Sequence, residues 1–421
     1  MTSRRAFLSG SAALLAQAAE VNPQIQRSRD AALAVLKPSQ RHLEHGLELH
    51  AQSLVVESYG FSPRSAVDGD AVRRAIEAGA SAAEVEDLNT DMLLSRVAED
   101  PAQRREYLDA WRASGVTCVL QNAGQEGSSP QRLLKRLAYL TYLTDMMPGE
   151  VSRAATPGDI ETAKKQNRHC LYMTANGVPL AQQWSSEADE LSWVRVFFQL
   201  GVRMMHLTYN RRNVLGDGCA EPANAGLSEL GKAAIAEMNR VGVIVDVAHS
   251  GWRTSLEAAK ASSKPMVASH TGAAEVRRHI RAKPDEVLRA IADTGGYSGV
   301  YSITSFLGDP GDINDMLNHI EYMVKRIGAD HVAIGTDLAY IPSTSSAEYK
   351  KIGPRPRSRQ FYEAMWPAGA LDNRSHPSLS WTNWPMITVG MVQRGIPDDS
   401  IRKILGGNVM RVARAVWPGR A

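Results

Sequence analysis

Eight short apolar runs recur along the chain, each closing on polar residues, with helically patterned segments between them. They are SLVVES (53–58), GVTCVLQNAG (115–124), HCLYMTANG (169–177), VRMMHLTYN (202–210), GVIVDVAHS (242–250), KPMVASHTG (264–272), GGYSGVYS (295–302) and HVAIGTDL (331–338). The intervening segments, such as AGLSELGKAAIAEMNRV (225–241) and DEVLRAIADT (285–294), carry the apolar spacing of amphipathic helices. Strands buried on both faces read as continuous apolar runs rather than alternating ones. Such strands alternating with helices predict an α/β fold of the (β/α)8 barrel type, with a doubly wound open sheet as the rival arrangement.

The polar residues gather at the C-terminal ends of the runs: Glu57, Asn122, Asn176, Tyr209, His249, His270 and Asp337. In a barrel those ends share one face, and the active site lies there. The segment STSSAEYKKIGPRPRSRQ (343–360) reads as one long surface insertion beside that mouth. The aromatic stretch SLSWTNWPMITVGM (378–391) either packs a helix or lines the opening.

Composition narrows the class without choosing a function. The 421 residues are 43% hydrophobic and 22% charged, with a net charge of +3. That balance suits a globular chain and gives no basic patch for nucleic acid. Cys118, Cys170 and Cys219 form neither a disulfide framework nor a metal knuckle, and read as packing residues.

The opening MTSRRAFLSGSAALLAQAAE pairs Arg4 and Arg5 before a short apolar stretch and small residues. It resembles a twin-arginine export signal over 1–22, with one mature domain over 23–421 in the periplasm or outside the cell. No stretch is long enough for a stable membrane span, which needs about 20 apolar residues.

The strongest chemical signal is a pair of matched strand ends, VDVAHSG and VASHTGA, which place His249 and His270 21 residues apart. One strand-helix-strand unit fits between them, so neighbouring strands bring both imidazoles within reach of one ion. Asp337, closing the last run, either shuttles a proton from an activated water or caps the next helix.

GLSELGKAAIAEMNRVGVIVDVAHSG, PMVASHTGA, GTDL and RKILGGNVMRV together resemble the membrane (renal) dipeptidase family, zinc metallopeptidases of the amidohydrolase-type barrel superfamily. The likeness covers about residues 195–415. It implies that His249 and His270 hold zinc, that Asp337 is the catalytic acid and base, and that Arg281 holds a substrate carboxylate. It also implies substrate contacts at the positions of Tyr209 and Asn176. Family members often pair as dimers, and no interface is legible here.

Where the family's first strand ends in His-x-Asp, this chain has Glu57, Ser58 and Tyr59, and Asn176 stands where a bridging glutamate is expected. Those replacements favour one zinc over two, with a third ligand from Glu57 or Asp337. The expected activity is hydrolysis of a dipeptide or related small amide through zinc-activated water. The alternative is a barrel that binds a small amino-acid-like ligand without turnover.

Overall fold

The computed structural model describes residues 22–124, 129–353, 366, 375–417 and 419. The export signal, but for Asn22, lies outside the described residues, as does most of the insertion beyond its helix Ser345–Ile352. Among the described residues no helix is long and apolar enough to cross a membrane.

Numbered along the chain, the strands are β1 (Val56–Gly60), β2 (Cys118–Asn122), β3 (Val151–Ala154), β4 (His169–Ala175), β5 (Met204–His206), β6 (Ile244–Asp246), β7 (Val267–Ala273), β8 (Ala282–Lys283), β9 (Tyr297–Val300) and β10 (Val332–Ile334). Eight of them pair in the order β1-β2-β4-β5-β6-β7-β9-β10, all parallel, and each overlaps one of the eight apolar runs, β1 and β7 extending a residue or two beyond theirs. The ring closes just beyond β1 and β10. Asp337 N donates to Tyr59 O (3.3 Å), Phe61 N to Leu338 O (3.1 Å) and Arg64 N to Tyr340 O (3.0 Å). This is the expected barrel, not an open sheet.

β3 and β8 are additions that the apolar pattern does not announce. β3 pairs with the first residues of β4, and β8 with the last residues of β7. Both are too short, and β3 too exposed at Ser152 and Arg153, to leave a continuous apolar run.

Local chemistry explains the helices between strands. Glu229–Val241 starts after Ser228, whose side chain accepts from Gly231 N, and stops at Gly242 in the left-handed region (φ 101°). Its buried residues Gly231, Ala234, Ile235 and Met238 form one stripe at helical spacing. The C-terminal aromatic stretch packs: Trp381 and Trp384 are buried, and helix Trp384–Gln393 lies against Gln40–Gln52.

Inside the barrel, Val56, Cys118, Cys170, Met204, Ile244, Val267, Tyr297 and Ala333 form one apolar cluster with the helix Asn408–Val416. On the other pleat, Val119, Leu171, Met205, Val245 and Ala268 join the cluster that includes the surrounding helices. The interior floor is therefore apolar, and chemistry is confined to the level above it.

Two irregularities shape that upper level. β1 advances from Glu57 to Gly60 while β2 advances only from Val119 to Gln121, so β1 carries one extra residue. β7 likewise advances from Ala268 to Thr271 against Ser298 to Val300 on β9. A bulge of this kind re-aims side chains beside a site. The neighbouring strands are glycine at this height: a Cβ on Gly299 or Gly335 would stand 2.0 or 2.2 Å from Ser269 O and within 2.7 Å of Ser58 Oγ.

Candidate active site

His249 lies three residues beyond β6, and His270 lies within β7 just after its extra residue. Both side chains are buried, and their Nε2 atoms approach to 2.9 Å. The opposite nitrogen of each ring is already engaged: His249 Nδ1 faces Asn210 Oδ1 at 2.7 Å, and His270 Nδ1 faces Ser269 Oγ at 2.9 Å. Asn210 Oδ1 also accepts from Cys219 Sγ (3.3 Å), so it can only accept from His249, and His249 Nδ1 carries the proton. The Ser269 hydroxyl gives its proton to Asp246 Oδ2, which leaves its oxygen to accept from His270 Nδ1.

Both Nε2 atoms therefore carry lone pairs, and these converge. Two lone pairs at 2.9 Å repel unless positive charge meets them; Arg281 NH2 reaches the one on His249 at 3.1 Å, and neutral imidazoles held in this way are also what a divalent metal ion takes as ligands. Burial, reinforced by the Arg281 charge, holds both imidazoles well below their usual pKa and so in the neutral form. The donor set fits zinc or a similar borderline ion.

Arg281 is buried and enters the same space. Its NH1 donates to Ala248 O, while NH2 lies 3.1 Å from His249 Nε2 and 3.4 Å from His270 O. Asp337 stands at the rim with its side chain 21% exposed, and its Oδ2 is 4.0 Å from His270 Nε2. Its backbone is left-handed (φ 58°), a conformation that Asp tolerates better than most residues. Tyr209 stacks on His249, ring centroids 4.1 Å apart, and Asn176 accepts a hydrogen bond from Tyr59 OH. His249, His270, Arg281, Asp337, Tyr209 and Asn176, all singled out in the sequence, thus lie at one end of the barrel.

Glu57 does not. Sharing its pleat with Val119, it points out of the barrel, where Oε1 accepts from Thr336 N (3.1 Å) and Thr336 Oγ1, and Oε2 accepts from Trp381 Nε1 (2.8 Å). Burial pushes its carboxyl up to about 8, against those donors and with the nearby Asp337 charge adding to the rise. It supports the wall behind the site and is not a third ligand beside the histidines.

The extra residue in β1 turns Tyr59 inward instead, over His270. His206 and Asp246, at the ends of β5 and β6, complete the level below. His206, Asp246 and His270 offer ligand atoms all within 4.8 Å of one another, and all three are buried. Asp246 Oδ1 accepts from Ala248 N (2.9 Å) and Ser269 N (3.1 Å). Burial raises the Asp246 carboxyl, but His206 and the Ser269 donors outweigh it and hold the group below its ordinary range. The signal for this pair was a charged residue inside VIVDVAHS and a histidine inside VRMMHLTYN.

Comparison with known proteins shows the family of the chain. The model of the membrane dipeptidase family, peptidase family M19, matches residues 98–350, beginning after β1. The dipeptidase verJ of Clonostachys rogersoniana is 30% identical over 230 residues, 53% of this chain and 50% of that protein. The chain spans about half the length of the curated relatives it matches. Among solved structures, an amidohydrolase from Pseudomonas aeruginosa superimposes with a TM-score of 0.66 at 27% identity, covering 89% of this chain and 99% of the other. A metallo peptidase from Rhodobacter sphaeroides, liganded with a phosphinate mimic of the dipeptide L-Ala-D-Ala, shares the fold at 17% identity (TM-score 0.61; 87% and 100% covered). With the match extending over more than half of its length, the chain belongs to the membrane dipeptidase family.

Proposed function

We propose that this chain is a metal-dependent hydrolase that cleaves the amide bond of a dipeptide or a related N-acyl amino acid. The observation that carries the reading is the convergence of the buried His249 and His270 Nε2 lone pairs, 2.9 Å apart between Arg281 and Asp337. Membership of the family, and relatives named dipeptidases, support the substrate class.

His249 and His270 would hold a divalent cation, which when bound would supply Lewis acidity to the scissile carbonyl and acidify water beside it. The chain's own groups do the rest. Arg281 offers a planar, buried guanidinium to the substrate carboxylate, a geometry that favours bidentate contact. Asp337, partly open to solvent, takes the proton as water oxygen bonds to the carbonyl carbon, and returns it to the leaving nitrogen as the C–N bond breaks. The products are a free carboxylate and a free amine. Tyr209 and Tyr59 brace His249 and His270 through their ring faces and exclude water from those sides.

The neutral Tyr59–Asn176 hydrogen bond and the outward turn of Glu57 favour a single ion. The test is hydrolysis of a panel of dipeptides and N-acyl amino acids by zinc-loaded protein, followed by amine release. Release that disappears with a chelator and in His270→Ala is the expected result. Zinc-loaded, folded protein that cleaves no member of the panel would overturn the reading.

A further inference from the structure

Three imidazoles, not two, surround one point in the barrel. His206 lies below His249 and His270, with ring centroids 5.4 Å from each, and His249 and His270 are 4.9 Å apart. An imidazole bound to zinc at about 2.0–2.1 Å has its ring centre about 3.2 Å from the ion, so two rings on tetrahedral positions have centres about 5.2 Å apart. The three measured separations bracket that value.

The bonding of His206 gives a second, independent observation. Its residue is fully buried, yet neither ring nitrogen makes a hydrogen bond among the described residues. A buried polar atom without a partner costs about 1–3 kcal/mol, so such atoms are rare without a reason. Asp246 Oδ2 lies 2.6 Å from His206 Nε2, but at an angle too bent for a hydrogen bond. A small rotation of the ring would straighten that contact, and Nδ1 is then the nitrogen left to bind an ion.

We propose that the metal centre is a three-histidine site, His206, His249 and His270, in which His206 supplies the third ligand and Asp246 holds it from behind. The proposal rests on the metal-dependent reading above and adds the identity of the third ligand. Each ring is then fixed through one nitrogen and binds through the other: His249 by Asn210, His270 by Ser269 and His206 by Asp246. Carboxylate or carbonyl partners of this kind set the tautomer of metal-bound histidine. Three protein ligands leave the fourth position open on the side of Arg281 and Asp337, as a catalytic zinc site requires. The arrangement also accounts for a first strand that contributes no ligand, since the third now comes from β5.

The experiment uses the full chain loaded with cobalt(II), whose paramagnetism shifts the N–H proton of every bound imidazole out of the ordinary NMR range. Three shifted exchangeable resonances are expected, one per ring, and two would overturn the proposal. In parallel, cobalt(II) affinity is measured for His206→Gln and Glu57→Gln, with unfolding of the metal-free proteins as the fold control. His206→Gln is expected to weaken binding on the order of 10–100-fold or more, and Glu57→Gln to leave it unchanged. A folded His206→Gln protein with wild-type affinity would overturn the proposal. If His206→Gln does not fold, the resonance count on the unaltered chain decides. Unaltered protein that binds neither cobalt nor zinc would instead remove the metal-dependent reading itself.

Discussion

Tyr59 lies flat on His270, ring centroids 4.0 Å apart and planes 14° from parallel, with its hydroxyl donating to Asn176. The first strand therefore reaches the site through a ring face and not through a ligand atom. Tyr59→Phe keeps the stack and strands the Asn176 carbonyl, so stability should fall by about 1–3 kcal/mol while metal affinity stays near that of the unaltered chain. Tyr59→Ala also opens a cavity, and the loss should grow to about 3–5 kcal/mol with weaker metal binding, as His270 loses its support. Denaturant unfolding with and without metal separates the two effects.

His270 is the ligand position that the other site residues share. His270→Ala should lose bound zinc, measured by elemental analysis, and lower kcat/KM on the order of 10³-fold or more.

Asp337 Oδ2 stands 4.0 Å from His270 Nε2, at the partly exposed rim of the site. Asp337→Asn preserves shape and tolerates the left-handed backbone, so metal content should hold while kcat falls roughly 10²–10⁴-fold. Loss of metal in this variant would recast Asp337 as a ligand.

Arg281 faces the open side of the pair through one amino group. Arg281→Lys loses the planar fork, and KM for a substrate with a free carboxylate should rise about 10–100-fold. The same substrate with its carboxylate amidated should show little difference between the variant and the unaltered enzyme.

Glu57 gives the chain a pH-dependent stability of a particular sign. Its folded pKa is raised from 4.5 to about 8, so between those values the folded chain holds a proton that the unfolded chain has released. Stability from this group is full below pH 4.5 and is lost as pH rises through about 8. Glu57→Gln cannot titrate, so the gap between the two proteins in unfolding free energy should shift in favour of Gln by a few kcal/mol from pH 5 to pH 9. Parallel slopes would show that Glu57 is ionised in the folded chain.

The barrel was legible because strands buried on both faces leave uninterrupted apolar runs, and the eight runs are the eight strands of its ring. His249 and Asp337 were legible because they lie just past β6 and β10, and His270 because its run repeats the ending of the one before it, whereas Arg281 was legible only through the family resemblance. Glu57 was not, because consecutive residues of a strand face opposite ways and the extra residue of β1 shows only against β2. The short edge strand β3 was hidden by its polar face. His206 and Asp246 were hidden for another reason: they sit inside apolar runs, where a sequence reading assigns them to the strand and not to the site.

Gly299 and Gly335 make the pocket lopsided in a way that bears on how it can change. A side chain on either would collide with the Ser269 carbonyl oxygen at about the height of the imidazoles. These two positions of β9 and β10 are thus closed to larger side chains as a source of new specificity. Variation in what this chain accepts must come from other positions of the mouth, so a library randomised at the two glycines should yield unfolded protein.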